Sequence, residues 1–477
     1  MARTEAKKDG GLVRVGDAGG LDGFFKVSAR GSSVRTEVVA GFTTWMTMAY
    51  ILFVNPAILG SVADHTGTKL GFAAVLTVTA LAAGVMTLAM GLFANYPFAL
   101  AAGLGLNAFV TFTLVATLGL TWPQAMGVIL IEGIVISILV LTGFRNAVLN
   151  AIPMDLKLAI GIGIGLFLAI IGLANGGIVI AGSAQTTPVT IAPHLATLRV
   201  LTFVVGLAVT SALVARKVRG GLLIGILATT VFGTVLNVAW GSKHIWDAVG
   251  PGVAQIPSKI VSTPDFNLIG KVNFGVFSVL SFGTALAVVL AVMLSDFFDT
   301  MGTVVGLGKE AGLLDEEGKL PGINRVLLVD SLAAAAGGLT SSSSNTTYIE
   351  SASGIGEGGR TGLVSVIVGG LFLLAIFFSP IAGIIPPEAT APVLVIVGYF
   401  MMKGVTEISW SDPAIGIPAL LTIVMMPFTY SITNGVGAGF LSYVLIKILQ
   451  GKFREVHPLL YGISLVFAWY FFHGLLA

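Results

Sequence analysis

The sequence predicts an all-α polytopic membrane protein of about fourteen transmembrane segments, arranged as two inverted halves of about seven each. Composition is the first observation behind this: of 477 residues, 55% are hydrophobic and 10% charged, and the mean hydropathy is +0.97. A soluble chain of that length could not cover its surface with so few charges. The second is a series of span-length apolar runs extending almost to the C-terminus. The third is that each half breaks its third segment at a matching place, Ala99–Asn107 in the first and Gly338–Glu350 in the second. The absence of cysteine excludes disulfides, thiolate metal sites and cysteine nucleophiles. A formal net charge of +2 gives no reason to expect a nucleic-acid partner, and 62 glycines suit close helix packing and broken helices.

Residues 1–22, Gly-rich and mixed in charge, read as a disordered cytoplasmic tail without the apolar core of a signal peptide. Lys26, Arg30 and Arg35 precede span 1 (38–59) and place the N-terminus inside. Span 2 runs from Leu70 to Phe93, and the Pro- and Gly-interrupted stretch Asn95–Asn107 opens a third segment ending near Leu118. Span 4 covers 122–144, followed by Arg145 and an amphipathic linker to Pro153. Spans 5, 6 and 7 fall at 155–174, 198–215 and 221–240, with the cluster Arg216-Lys217-Val218-Arg219 marking the cytoplasmic side. A polar outer linker follows, and then the pattern restarts. Span 8 (275–303) is followed by a cytoplasmic loop with Lys309, Lys319 and Arg325. Span 9 reaches Gly338, segment 10 is interrupted, and spans 11 to 14 fall at 361–379, 391–405, 413–430 and 432–449. The stretch 458–475 reads as an interfacial helix or one further span.

Two polar stretches stand out within this apolar frame. Span 8 carries Asp296 and Asp299 at membrane depth, where an ionisable side chain costs about 3 kcal/mol and is functional by default. On a helix Asp296, Asp299, Thr300 and Thr303 share one face. The run Ser341–Ser351 adds Glu350 and is too polar to face lipid, so it belongs against protein or a cavity. Three carboxylates and a hydroxyl cluster read as a substrate site with a proton- or ion-binding partner. Helix glue, the alternative, accounts for the serines but not for three acids without an evident basic partner. Glu132, alone in span 4, suits either a proton path or a hydrogen bond in the core, and Asp330 in span 9 reads as facing the charged loop. His65, His194, His244, His457 and His473 have no metal spacing.

Several motifs together resemble the AzgA-like purine permeases of the nucleobase–cation symporter and nucleobase–ascorbate transporter group. They are Arg30-Gly-Ser-Ser-Val-Arg-Thr-Glu, Ala49-Tyr-Ile-Leu-Phe-Val-Asn-Pro, Gly105-Leu-Asn-Ala-Phe, Asp296-Phe-Phe-Asp-Thr-Met-Gly-Thr and Tyr348-Ile-Glu-Ser-Ala-Ser-Gly. The resemblance runs from about Phe24 to the end and implies short antiparallel strands in segments 3 and 10. It implies a core domain (23–144 and 275–380) and a gate domain (145–241 and 381–477), joined by an extracellular linker at 242–274. The family's span-3 asparagine falls on Asn107, its span-8 acids on Asp296 and Asp299, and its span-10 glutamate on Glu350. Asn345-Thr-Thr-Tyr followed by Glu350 is similar to the uracil permease stretch whose glutamate holds the base.

The implied activity is proton-coupled purine uptake across the cell membrane, with guanine and hypoxanthine favoured over adenine by the likeness of 405–460 to a Gram-positive branch. The expected substrate contacts are Asn107, Asp296, Asp299, Thr347, Tyr348, Glu350 and Ser351, with Glu350, Asp296 and Asp299 coupling the proton. A carboxylate accepts from two adjacent N–H donors, and an amide serves either sense. Phe109, Phe297, Phe298 and Tyr348 are candidates to stack on the base, packing being the commoner fate of such residues. Expected partners are the base, the proton and the bilayer, a homodimer being left open; no cofactor, metal or enzymatic reaction is expected. The rivals are an anion transporter of the same architecture, which would be expected to place a basic residue at the site, a channel, against which carboxylates and inverted repeats favour alternating access, and an intramembrane aspartyl protease, which needs two aspartates on separate helices.

Overall fold

The computed structural model describes residues 20–143, 151–182, 189–240, 245–246, 252–316 and 320–472. Most of the N-terminal tail, Arg145, Lys319, His244, His473 and the last residues of the 458–475 stretch lie outside the described residues. Among the described residues, ten helices are long and apolar enough to cross a membrane. The two broken segments, the helix Ile323–Thr340 and the shorter helix Pro413–Thr429 bring these ten to the fourteen expected.

Expected span 1 is two helices, α1 (Val34–Met48) and α2 (Ile51–Leu59), meeting at Ala49-Tyr50. The Ser33 hydroxyl caps α1 by accepting from the Thr36 N–H at 3.1 Å. Next come α3 (Phe72–Ala89) and strand β1 (Leu100–Ala102), then α4 (Leu104–Ala108), which continues as a π-helical stretch Phe109–Thr117. The long helices α5 (Trp122–Leu141), α6 (Met154–Asn175), α7 (Leu198–Ala215) and α8 (Gly221–Ala239) follow. A hairpin of β2 (Val179–Ala181) and β3 (Val189–Ile191) between α6 and α7 has no counterpart in the sequence reading, because three-residue strands are too short to show a period.

The second half begins with α9 (Phe282–Glu310), capped by Ser281 after a short turn of helix at Val276–Val279. It runs past the expected end at residue 303, because Val-Val-Gly-Leu-Gly-Lys-Glu keeps helical geometry and ends with Lys309 at the favourable C-terminal pole. Then come α10 (Ile323–Thr340), β4 (Asn345–Thr347), α11 (Ser351–Gly356), α12 (Gly362–Ala375), α13 (Pro387–Met401), α14 (Pro413–Thr429), α15 (Ile432–Leu449) and α16 (Pro458–Phe472). The last of these packs along α9 and α15.

Helices α1, α3, α5, α10, α11 and α12 pack mainly on one another, as do α6, α7, α8, α13, α14 and α15. Helix α9 packs on α5 and β4 from the first set and on α6 and α15 from the second. Within the first set, α5 and α10 cross at glycine: a Cβ on Gly133 would lie 2.3 Å from the Ala335 nitrogen, and one on Gly338 2.5 Å from that of Leu130. Lipid gives apolar helices no hydrophobic reason to associate, so such small-residue crossings carry the packing.

Candidate functional site

Strands β1 and β4 come from opposite halves of the chain and pair antiparallel, Leu100 with Thr347, Ala101 with Thr346 and Ala102 with Asn345. A two-stranded ribbon at membrane depth must find partners for its outer backbone groups. The Leu100 N–H donates to Thr87 Oγ1 at 2.9 Å and the Ala99 N–H to Ser351 Oγ at 3.0 Å. On the other edge, Asp330 Oδ1 accepts from both the N–H and the hydroxyl of Thr347, at 2.8 and 2.7 Å. Between α10 and β4 the chain turns through Ser341 (φ 62°) and Ser343 (φ 72°), left-handed positions that β-branched residues would strain.

A cavity of about 110 Å³ lies where the ribbon ends and the half-helices α4 and α11 begin. Ser295, Asp299 and Thr303, four residues apart along α9, form one wall, and Thr346 to Glu350 form the opposite one. Gly103 to Leu106 at the start of α4 supply backbone and apolar side chains, and Tyr50 reaches in from the break between α1 and α2. Ile164 of α6 with Val397 and Met401 of α13 close it from the other helix set. The Tyr50 hydroxyl donates to Glu350 Oε1 at 2.6 Å, and Asp299 is exposed within the protein's open space.

Of the residues expected to hold substrate, the structure brings Asp299, Thr347, Tyr348 and Glu350 to the cavity wall and leaves Asn107, Asp296 and Ser351 off it. Asp296 and Asp299 are not on one working face. Three residues along a helix leave a 60° offset, enough here to turn Asp299 to the cavity and Asp296 into the protein with Thr300. Asn107 is fully buried one turn into α4, with neither amide atom hydrogen-bonded among the described residues, and Ser351 is spent on the Ala99 N–H.

Of the four stacking candidates, Phe109 and Phe297 are core residues and Phe298 packs edge-on to Phe297. Tyr348 lines the cavity, its phenol donating to the Ala102 carbonyl. Asp330 does not face the charged loop: it is buried and braces β4, because its position on α10 lies opposite the ribbon. Glu132 meets two polar groups in the core, Asp296 and, at 3.4 Å, Ser344 Oγ. Tyr50, Ser295 and Thr346 were missed as lining residues. The only sequence signal for Tyr50 was its place inside the Ala49-Tyr-Ile-Leu-Phe-Val-Asn-Pro motif.

A model of the Permease family matches residues 35–437. The chain is 38% identical over 453 residues to the adenine permease AdeQ of Escherichia coli, covering 95% of this chain and 96% of that one. It is 40% identical over 451 residues to the guanine/hypoxanthine permease PbuG of Bacillus subtilis, covering 94% and 98%. Among solved structures, the transmembrane domain of the cyanobacterial bicarbonate transporter BicA superposes with a TM-score of 0.59 at 14% identity, over 85% of this chain and 97% of that one. The murine anion transporter Slc26a9, in an inward-facing state, gives 0.59 at 12% identity over 94% and 77%. These two share the fold alone.

Proposed function

The chain belongs to the Permease family, and from that premise we propose that it imports purine nucleobases across the cell membrane by proton-coupled alternating access. The observation that carries the reading is the paired carboxyl wall: Asp299 and Glu350 face one small cavity, with Tyr348 beside them. A carboxylate accepts from N–H donors, which a purine offers at its ring nitrogens or exocyclic amine and halide or bicarbonate ions do not. The cavity is small beside the roughly 300–1,000 Å³ of drug-sized sites, which favours a bare base over a nucleoside. An intramembrane protease is set aside by the family. Glu132 and Asp296, acids that meet from separate helices, lie off the cavity.

In this reading the two helix sets are the core and gate domains, and the cavity at their contact is the site they expose by turns. The N-terminus lies in the cytoplasm, as the basic residues before α1 favour. The face of α9 from Asp299 through Gly302, Val305 and Gly306 to Lys309 is exposed. With that orientation it forms a path from the site to the cytoplasm.

Purines should compete for uptake of labelled hypoxanthine, and uracil and uridine should not. Uptake should fall as external pH rises and collapse with an uncoupler in sodium-free buffer. Uridine or uracil competing as well as guanine and adenine would sink the substrate assignment. A requirement for sodium with indifference to pH and uncoupler would sink the coupling assignment.

A further inference from the structure

The geometry points to Glu132 and Asp296 as a proton-carrying pair separate from the base-binding carboxyls, an inference that rests on the proton-coupled reading above. Glu132 comes from α5 and Asp296 from α9; they are 0% and 1% exposed, neither lines the cavity, and their carboxyl groups are hydrogen-bonded to each other. A carboxylate has only acceptors, so that bond exists only while one of the two holds a proton. Among the described residues no donor reaches the buried Glu132 Oε1 or Asp296 Oδ1, so no other group's hydrogen occupies the place where a second proton would sit. The charged groups facing it are also acids, Asp330 of α10 and Asp299 of α9. The π-helical stretch and the short helix at Val276–Val279 that pack on α5 bring no titratable side chain.

The step balances without another reactant: the singly protonated pair takes one proton from outside, becomes neutral, and releases that proton inside. Its link to the base is mechanical. Glu132 reaches Ser344, the residue before β4, at 3.4 Å. One turn beyond Asp296, the Thr300 hydroxyl lies 2.7 Å from both Thr346 of β4 and Asp330. A change of charge at the pair therefore bears on the strand that forms the cavity wall, at the residue before it and at its middle.

The test uses full-length wild type, Glu132→Gln and Asp296→Asn in liposomes. Two readouts are needed: counterflow of labelled hypoxanthine at equal pH, and accumulation driven by an imposed pH gradient. The pair predicts counterflow within about twofold of wild type and accumulation reduced by about tenfold in each variant, the size of an ordinary lost coupling. Variants that accumulate like wild type overturn the inference and leave the purine permease standing. Variants folded but without counterflow, or both failing to fold, overturn it by showing a structural pair. If only one folds, the same criteria apply to the other. A wild type that ignores the pH gradient overturns the coupled reading and this inference together.

Discussion

Tyr50 and Glu350 are joined by a 2.6 Å hydrogen bond from phenol to carboxyl, which ties the break between α1 and α2 to the start of α11. The bond occupies Oε1 and orients Oε2 without neutralising the group. Tyr50 is therefore a positioning residue for the proposed base acceptor. Because both residues sit where helices are interrupted, neither could be held by regular backbone alone.

Tyr50→Phe removes the donor and keeps the ring. A hydrogen bond to a charged group contributes about 1.5–3 kcal/mol, so KM for purine uptake should rise about tenfold or more with kcat changed less, 1.4 kcal/mol being a factor of ten. Initial-rate kinetics check it, and an unchanged KM would separate Tyr50 from substrate positioning.

Glu350→Ala and Asp299→Ala should each abolish uptake while the protein stays folded in the membrane. Both acids face open space, where removal leaves no buried partner stranded apart from the Tyr50 hydroxyl. Membrane-fraction immunoblots and size-exclusion profiles read folding independently of transport. Loss of the protein itself would mean that the acids hold the helices together.

Asp330 should separate into two outcomes. Asn keeps one oxygen for the Thr347 N–H and hydroxyl, and its amide can donate to Thr300, whose own proton can turn to Thr346. Asp330→Asn should therefore retain most uptake. Asp330→Ala strands a buried N–H and should cost about 1–3 kcal/mol of stability along with uptake. Thermal unfolding in detergent reads the first quantity, and equal behaviour of the two variants would refute the bracing role.

The membrane class, the inverted halves and the two broken segments were legible because composition and periodicity are properties of the sequence itself. Asp296, Asp299 and Glu350 were legible for the same reason: an ionisable side chain in an apolar run is costly and reads as functional by default. Which acid faces the cavity was not legible. The choice between Asp296 and Asp299 is a rotation of α9 fixed by β4, α5 and α6, all distant in sequence. Asp330 was misjudged on the same ground, since its partner Thr347 lies 17 residues on and across a turn that only tertiary structure defines. Tyr50 carried no signal of its own, an aromatic in an apolar run being ordinary. The proposed assignments of Asn107 and Ser351 as substrate contacts stood on resemblance, and the cavity is built without either side chain.

The open face of α9 supplies the last expectation. Among the described residues nothing lies within 4 Å of where a Cβ would stand on Gly302 or Gly306, and both are exposed along the line that leads from Asp299 to Lys309. If that line is an aqueous path, a thiol there must meet water on one side of the membrane only. The chain has no cysteine, so Gly306→Cys is a single-cysteine protein without further engineering. A membrane-impermeant maleimide should label it in inside-out vesicles and not in intact cells, and saturating purine should slow the labelling if the base closes the path. A thiol that labels only from outside would reverse the orientation of α9 and, with it, the cytoplasmic placement of the N-terminus. A thiol silent from both sides would place the glycine face against lipid, and the route from the cavity would have to be sought between α6 and α13 instead.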